Sequence, residues 1–335
     1  MQAVVLDGRM GEGGGQVLRT ALSAAMLTGR PVQISNIRGG RNKPGLFRQH
    51  LTCVRAAVAI CGGSVEGAEL GSSHLSFTPG PVVGADYVFD VGSAGSANLV
   101  LQTVLPVLLH AEQPSTVTIS GGTHNRNSPP TDDLQHCFIP VLQRMGATVD
   151  LRLERHGFEP RGGGKLVCSI TPSPLHPVNI TESPDSTDIE VRAILCGINP
   201  GIGRRLVARA CEKLGVDPAK ARVETVAADG AGGVLRLRAP GLQSTGFCAR
   251  NVRAEKVADR AAGRLHAWLR TGVPVDEFTA DQLLLPMVLA GGGSFRTSLA
   301  SQHTTTNAEV IAQFYKVDIQ FETKGGATLV RIKTE

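Results

Sequence analysis

Apolar and polar positions along this chain switch between two periods, and the order of the switches repeats. Three apolar runs of helical length open on one phrase: QVLRTAL from position 16, QTVLPVL from 102 and QLLLPMV from 282. Each run closes on glycine or a polar break. A β-branched stretch follows (VQISNI, TVTIS, SFRTS), then a polar loop (39–45, 121–130, 300–307) and a second stretch of helical periodicity (46–61, 131–145, 308–315). A strand pair closes each unit: SVEGAEL with HLSFTPG, TVDLRLER with KLVCSITP, and KVDIQFET with ATLVRIK. The unit reads as helix, strand, loop, helix and hairpin, three times over.

The spacing of the shared glutamine locates an insertion. Gln16 and Gln102 are 86 residues apart, whereas Gln102 and Gln282 are 180 apart, an excess of 94. That excess is read as an inserted domain at 181–274, entered through the proline-rich TPSPLHPVNITESPD. It has its own strands (EVRAILCGI, VLRLRAP), a helix in GIGRRLVARACEKLG and a long amphipathic helix near 253–271. The expected architecture is α+β. A large domain comprises 1–180 and 275–335, with units at about 1–88, 89–180 and 275–335, and a smaller α/β domain interrupts it.

Composition narrows the class. The chain of 335 residues has 41% apolar and 19% charged residues, as folded globular proteins do. Its 40 glycines, about 12% against a usual ~7%, make tight loops a theme. Ten Phe, two Tyr and one Trp are too few for modules that read RNA on an aromatic sheet face. The first sixteen residues lack the basic and apolar regions of a signal peptide, and no apolar stretch is long enough to span a membrane. Seven cysteines without a C-x-x-C pair, mostly within apolar runs, argue against a disulfide framework or a zinc site. A cytoplasmic location is expected.

The formal net charge of +5 is unevenly spread. Residues 1–60 hold eight basic and two acidic side chains, so they carry +6 and the remainder −1. An anionic partner is therefore expected at the N-terminal unit.

Four segments could carry chemistry. GEGGGQ (11–16) lies between the strand AVVLD and a helix, where glycines admit backbone N–H groups to an anion. It matches neither the P-loop nor the G-x-G-x-x-G spacing, and a tight turn accounts for it equally well. Glu12 within it would repel phosphate unless a hard cation lay between them; a solvated acid at a helix start is the alternative. IRGGRNKPGLFRQH gathers Arg38, Arg41, Lys43, Arg48 and Gln49, with Arg19 nearby, as either a shaped anion pocket or a solvated charged surface. His303 stands in the third polar loop ahead of a Thr306-x-x-Glu309 capping box, as a nucleophilic imidazole or a surface residue. In FTADQLLLP, Asp281 and Gln282 open an apolar helix, where Asp281 could be an ordinary N-cap.

Together GEGGGQVLRT, IRGGRNKPGLFRQH, GSAGSANLVLQTVLP, HGFEPRGGG, FTADQLLLPMVLAGGG and the late His303 resemble the RNA 3′-terminal phosphate cyclase family over nearly the full length. The resemblance implies three repeats of a two-helix, four-stranded unit with an inserted domain, a plan also used by enolpyruvyl transferases. It implies an ATP-dependent ligase that converts an RNA 3′-phosphate to a 2′,3′-cyclic phosphate through enzyme–histidine–AMP and RNA–adenylate intermediates. His303 would be the nucleophile and Glu12 the ligand of Mg2+ or Mn2+. Gln102, Phe278, Thr279, Ala280, Asp281 and Gln282 would bind ATP. Arg19, Arg38, Arg41 and Gln49 would bind the RNA 3′-phosphate. The family often has Tyr at the position of Phe278, and TTTN after His303 replaces more apolar residues. Two alternatives stay open: a non-catalytic relative in ribosomal RNA processing, and an enolpyruvyl-transferase-like enzyme.

Overall fold

The computed structural model describes residues 2–183 and 188–335. The first segment runs β1 (Val4–Asp7), α1 (Gly15–Thr28), β2 (Val32–Ser35), α2 (Arg48–Cys61), β3 (Ser64–Glu66) and β4 (Leu75–Thr78). Alternation decides the face of β1, because Val4 and Leu6 are buried and Val5 is exposed. Helix α1 ends at Gly29, whose left-handed backbone suits glycine. It crosses over between β1 and β2, which pair in parallel, and β4 and β3 then add antiparallel to give the order β1-β2-β4-β3.

The second segment contains β5 (Asp86–Asp90), α3 (Ala97–Leu108), β6 (Ser115–Gly121), α4 (Thr131–Asp133), α5 (Ile139–Arg144), β7 (Thr148–Arg155) and β8 (Gly164–Thr171). Its sheet order is β5-β6-β8-β7, with the same strand directions as the first. A π-helical turn over Leu134–Phe138 separates α4 from α5, where a continuous second helix was expected. Pro140 has no N–H to continue the ladder, and the Ile139 N–H bonds five residues back to Leu134.

After β9 (Val178–Ile180) the chain forms β10 (Glu190–Cys196), α6 (Pro200–Leu214), β11 (Arg222–Thr225), β12 (Gly232–Ala239), β13 (Leu242–Phe247) and α7 (Ala254–Thr271). These strands make a sheet of order β11-β10-β12-β13. The third segment resumes with α8 (Glu277–Leu289), β14 (Gly292–Thr297), α9 (Gln302–Ala312), β15 (Val317–Lys324) and β16 (Ala327–Thr334). Its sheet is ordered β9-β14-β16-β15, again with one parallel and two antiparallel pairings. The proline-rich entry segment therefore supplies the edge strand of the third sheet, although residues up to 180 were expected in the second unit. The exposed, proline-broken sequence around VNI hides a three-residue strand, because pairing with β14 and not local pattern makes it one. Pro184 and Asp185, the end of that entry segment, lie outside the described residues.

One continuous core joins all three segments, with α1, α2, α3, α8 and α9 packed inside and the sheets outside. The sheet of β10–β13 packs its own core against α6 and α7 around Trp268. Ion pairs tie that sheet to the second segment. Arg236 on β12 contacts Asp132 and Glu190, each at 2.5 Å, and Asp132 also bonds His124 Nε2 at 2.8 Å. The Gln243 amide and the Thr245 hydroxyl donate to Asp133. All seven cysteines are free, and no helix among the described residues is long and apolar enough to cross a membrane.

Removing Arg236 leaves the buried Asp132 carboxylate with His124 alone, while Glu190 keeps Arg238 and Arg192. Arg236→Ala is expected to lower unfolding free energy by about 3–5 kcal/mol, read as a lower urea midpoint.

Candidate active site

The N-terminal halves of α1, α8 and α9 converge with α2 and α3 on a cleft of about 1310 Å³. The β1–α1 loop closes onto α9 because glycines stand at its close contacts. A Cβ on Gly11 would fall 1.8 Å from Thr306 Oγ1, and one on Gly13 would strike the backbone of Gly40; both glycines have left-handed backbones. The contact is used, since the Glu12 N–H donates to Thr306 Oγ1 at 3.0 Å and Gln302 donates to the Gly11 carbonyl at 3.0 Å.

His303 lies in the first turn of α9, not in a loop ahead of it. The cap is Ser301, whose Oγ accepts from the Thr304 N–H at 3.2 Å, and Thr306 is buried within the helix. The expected box failed because the Thr-rich run TTTN has polar groups satisfied inside the helix: Thr306 donates to the Gln302 carbonyl at 2.7 Å. His303 Nδ1 sits 2.8 Å from Gln16 Oε1, while Gln16 Nε2 donates to Asp281 Oδ2 at 2.9 Å. That second bond orients the amide, and an amide oxygen only accepts. The proton therefore resides on Nδ1, and Nε2 keeps its lone pair. Burial pushes the imidazole below its ordinary pKa. Glu12, with Oε1 at 3.7 Å, pulls it up, and Arg19 and Arg41 push it down. A neutral ring at pH 7 results.

The basic residues gather on the same wall. Arg41 pairs with Glu12 Oε2. Arg38, held in the left-handed region at φ 56°, donates to the carbonyls of Lys43 and Gly45 at 2.8 and 3.0 Å. Arg19 is half-buried and its guanidinium makes no hydrogen bond or ion pair among the described residues; burial lowers its pKa. Gln49 Oε1 accepts from the Ser96 N–H at 2.9 Å, which couples α2 to the start of α3. Between these groups His50 is pushed down to about 3 by burial, then by Arg19 and Arg38, so it stays neutral.

On the opposite wall Gln102, Phe278, Asp281 and Gln282 also line the cleft. Thr279 and Ala280 do not. They are buried on the inner face of α8, and the Thr279 hydroxyl donates to Asp276 at 3.0 Å. The cap of α8 is Asp276, accepting from the N–H groups of Phe278 and Thr279 at 2.8 Å, and Asp281 stands further inside. Asp281 needs a different account from capping: burial raises it to about 7 against the opposing pull of Arg19 and Gln16. Gln102 Nε2 and Gln282 Oε1 are buried without a hydrogen-bond partner among the described residues, one a donor and one an acceptor. A smaller depression of about 460 Å³, lined by residues including Arg152, His156 and Arg192, contains none of the expected site residues.

Gln16, His50 and Asn307 were not singled out for the site, yet all three line it. Asn307 bonds the Asp281 carbonyl at 2.6 Å and accepts from Thr20 at 2.6 Å. Gln16 had a signal, since it heads the repeated phrase whose other glutamines, Gln102 and Gln282, reach the same cleft.

The cleft defines a site for anionic substrates, with a neutral imidazole and a readily protonated carboxyl at its centre. A family model described as RNA 3′-terminal phosphate cyclase matches residues 10–321. Proteins named RNA 3′-terminal phosphate cyclase are similar to this chain along almost their whole lengths. The one from Ralstonia nicotianae is 48% identical, covering 98% of this chain and 96% of its own. Those from Ectopseudomonas mendocina (47%, 94% of each chain) and Salmonella typhimurium (42%, 98% of each chain) agree. The chain belongs to the RNA 3′-terminal phosphate cyclase family.

The raised carboxyl makes stability depend on pH. Folded Asp281 keeps its proton to about 7, against an ordinary 3.8, so its contribution is complete below 3.8 and lost as pH rises through about 7. Thermal midpoints of the ligand-free protein are expected to fall less between pH 4.5 and 7.5 in Asp281→Asn than in wild type.

Proposed function

We propose that this protein uses ATP to convert an RNA 3′-terminal phosphate into a 2′,3′-cyclic phosphate, with His303 as the nucleophile. The observation that carries the reading is the chain of contacts Asp281–Gln16–His303, which leaves the imidazole Nε2 free beside a wall of arginines.

In the first step Nε2 attacks the α-phosphorus of ATP. A P–N bond forms, the bridging P–O bond breaks, and pyrophosphate leaves with the electron pair. The Nδ1 proton stays on the ring and faces Gln16, so the adenylylated imidazole is cationic and a good leaving group. An oxygen of the RNA 3′-phosphate then displaces it, taking AMP and restoring neutral histidine. Finally the 2′-hydroxyl oxygen of the ribose forms a bond to the terminal phosphorus, the P–O bond to AMP breaks, AMP leaves with its electron pair, and the hydroxyl proton passes to solvent. Arg19, Arg38, Arg41 and Gln49 would orient the RNA phosphate, and Arg19 brings a guanidinium with no other partner among the described residues.

Gln102 and Gln282 would meet the nucleotide's polar edge, Phe278 its ring face and Asp281 its sugar or phosphate. Thr279 and Ala280 would shape this wall from behind. Glu12 would hold Mg2+ or Mn2+ together with the ATP phosphates. One carboxylate suits an ion that takes most of its ligands from phosphate and water, and no group of three or more His, Cys, Asp or Glu among the described residues could hold one by itself. When bound, that ion offsets charge on the phosphates.

The segment 181–274 is read as a separable domain that buttresses the nucleotide wall. The free cysteines suit a reducing cytoplasm. The presence of His303, Glu12 and the three arginines in one cleft favours this reading over a non-catalytic relative. An enolpyruvyl transferase would leave the oriented imidazole without a task.

Incubation with α-labelled ATP and Mg2+ or Mn2+ is expected to label the wild-type protein through an acid-labile bond and to leave His303→Ala unlabelled. An unlabelled wild type would refute the reading. Gln16→Leu removes the acceptor for Nδ1–H and is expected to slow single-turnover self-adenylylation about 10- to 100-fold, the usual scale for a group that orients a reactive histidine.

A further inference from the structure

Among the exposed large apolar side chains only two are aromatic, Phe47 and Phe278, at 42% and 41% exposure, and both line the same cleft. A reaction that joins two nucleotides has two bases to accommodate. Phe278 stands with Gln102, Asp281 and Gln282 on the wall assigned above to ATP. Phe47 stands on the other wall, in the loop and helix start that carry Arg38, Arg41 and Gln49. We propose that Phe47 is the platform on which the 3′-terminal nucleobase of the RNA stacks, an inference that rests on the RNA-end reading above.

The surroundings of Phe47 suit a fixed platform. Its backbone is extended at the cap of α2, and its N–H donates to His50 Nδ1 at 3.2 Å. The Arg38 guanidinium lies 3.9 Å from the ring centroid and covers one face, and the His50 ring stands tilted at 6.1 Å. Leu70 lines the cleft as well and is 56% exposed. Two exposed apolar side chains in a cleft rich in cations bind no phosphate and add nothing to the core; they suit a flat, apolar ligand face carried by an anion. A terminal base is attached to its 3′-phosphate through one ribose, and the arginine assigned to that phosphate is the one stacked on the ring. Stacking reads no base edge, so the platform would accept any terminal nucleotide.

The test uses two 3′-phosphorylated oligoribonucleotides that differ only at the last residue, one with its base and one with an abasic ribose keeping the 2′-hydroxyl. For the wild type, KM is expected to be about tenfold higher for the abasic end. Phe47→Ala and Phe47→Leu should raise KM for the intact end by a similar factor and erase the difference, whereas Phe47→Trp should retain it. Phe47→Leu keeps apolar bulk at the cap, so loss of discrimination there speaks to the ring and not to folding. If these variants keep the wild-type difference, or raise KM for ATP in place of RNA, the platform is refuted. Equal KM values for both ends in the wild type would also refute the platform while leaving the cyclase reading intact. Cyclisation of neither end would overturn both.

Discussion

The site depends on the two ends of the chain meeting. The glycine loop at 11–15 and helix α9 are nearly three hundred residues apart in sequence, yet Glu12 and Thr306 share a hydrogen bond and Gly11 leaves no room for a side chain between them. Thr20 with Asn307, and Arg30 with the carbonyls of Gln313 and Phe314, extend the same seam. The nucleophile candidate comes from one side of that seam and its orienting glutamine from the other. Neither segment alone contains the arrangement. The strand pairing of β9 with β14 serves the same end, because it joins the chain before and after residues 181–274 in a single sheet. However long the excursion, the third segment is returned to register beside the first.

Within the seam, burial and charge act in opposite directions on neighbouring groups. Burial disfavours ionisation of Arg19, His50, Asp281 and His303, and neighbouring arginines disfavour further positive charge. Both effects keep His303 and His50 neutral. For the carboxyl of Asp281 burial outweighs the cationic attraction of Arg19, so its pKa rises. Glu12 takes the remaining role, its carboxylate paired with Arg41 and close to the imidazole. The reaction proposed for this site, which brings several phosphates to a neutral nitrogen, would need this division: cations to hold the anions, and enough burial to prevent the nitrogen from becoming one more cation.

Much of this was legible in the sequence where a feature repeats or where one residue type does one job. The shared glutamines mark corresponding helices in three segments, and all three reach the cleft. The cluster of arginines after β2 is held in the shape that its glycines suggested. What failed to show was whatever depends on distant partners. Val178–Ile180 is a strand only because β14 lies beside it. His303 was read in a loop because threonines and asparagine look like a loop, and in α9 their hydroxyls and amide are satisfied by the helix carbonyls and by residues of α1 and α8. Asp281 was open to a capping role that Asp276 fills instead, for the same reason: capping is local and either could have done it, whereas bonding to Gln16 is a matter of tertiary contact. Thr279 and Ala280 lie between Phe278 and Asp281 in sequence, but the turn of a helix points them to the core.

The inserted segment is more than a tolerated excursion. Trp268 of α7 meets the Phe278 ring edge-on at 6.2 Å, and the Arg264 guanidinium lies 5.9 Å from the same ring. Thr245 and Phe247 of β13 line the cleft, and Gln243 and Thr245 bind Asp133 behind it. Phe278 could not be held at the cleft surface by its own helix alone, because an exposed ring on a mobile side chain makes a poor wall. A tryptophan edge and a guanidinium from a second core restrict it. The position of the ring thus depends on docking of that sheet, to which the Arg236–Asp132 pair and the bonds of Gln243 and Thr245 to Asp133 contribute. Geometry at the wall proposed for the nucleotide therefore depends in part on residues outside the three segments, which explains why no comparison of those segments with one another could have revealed it.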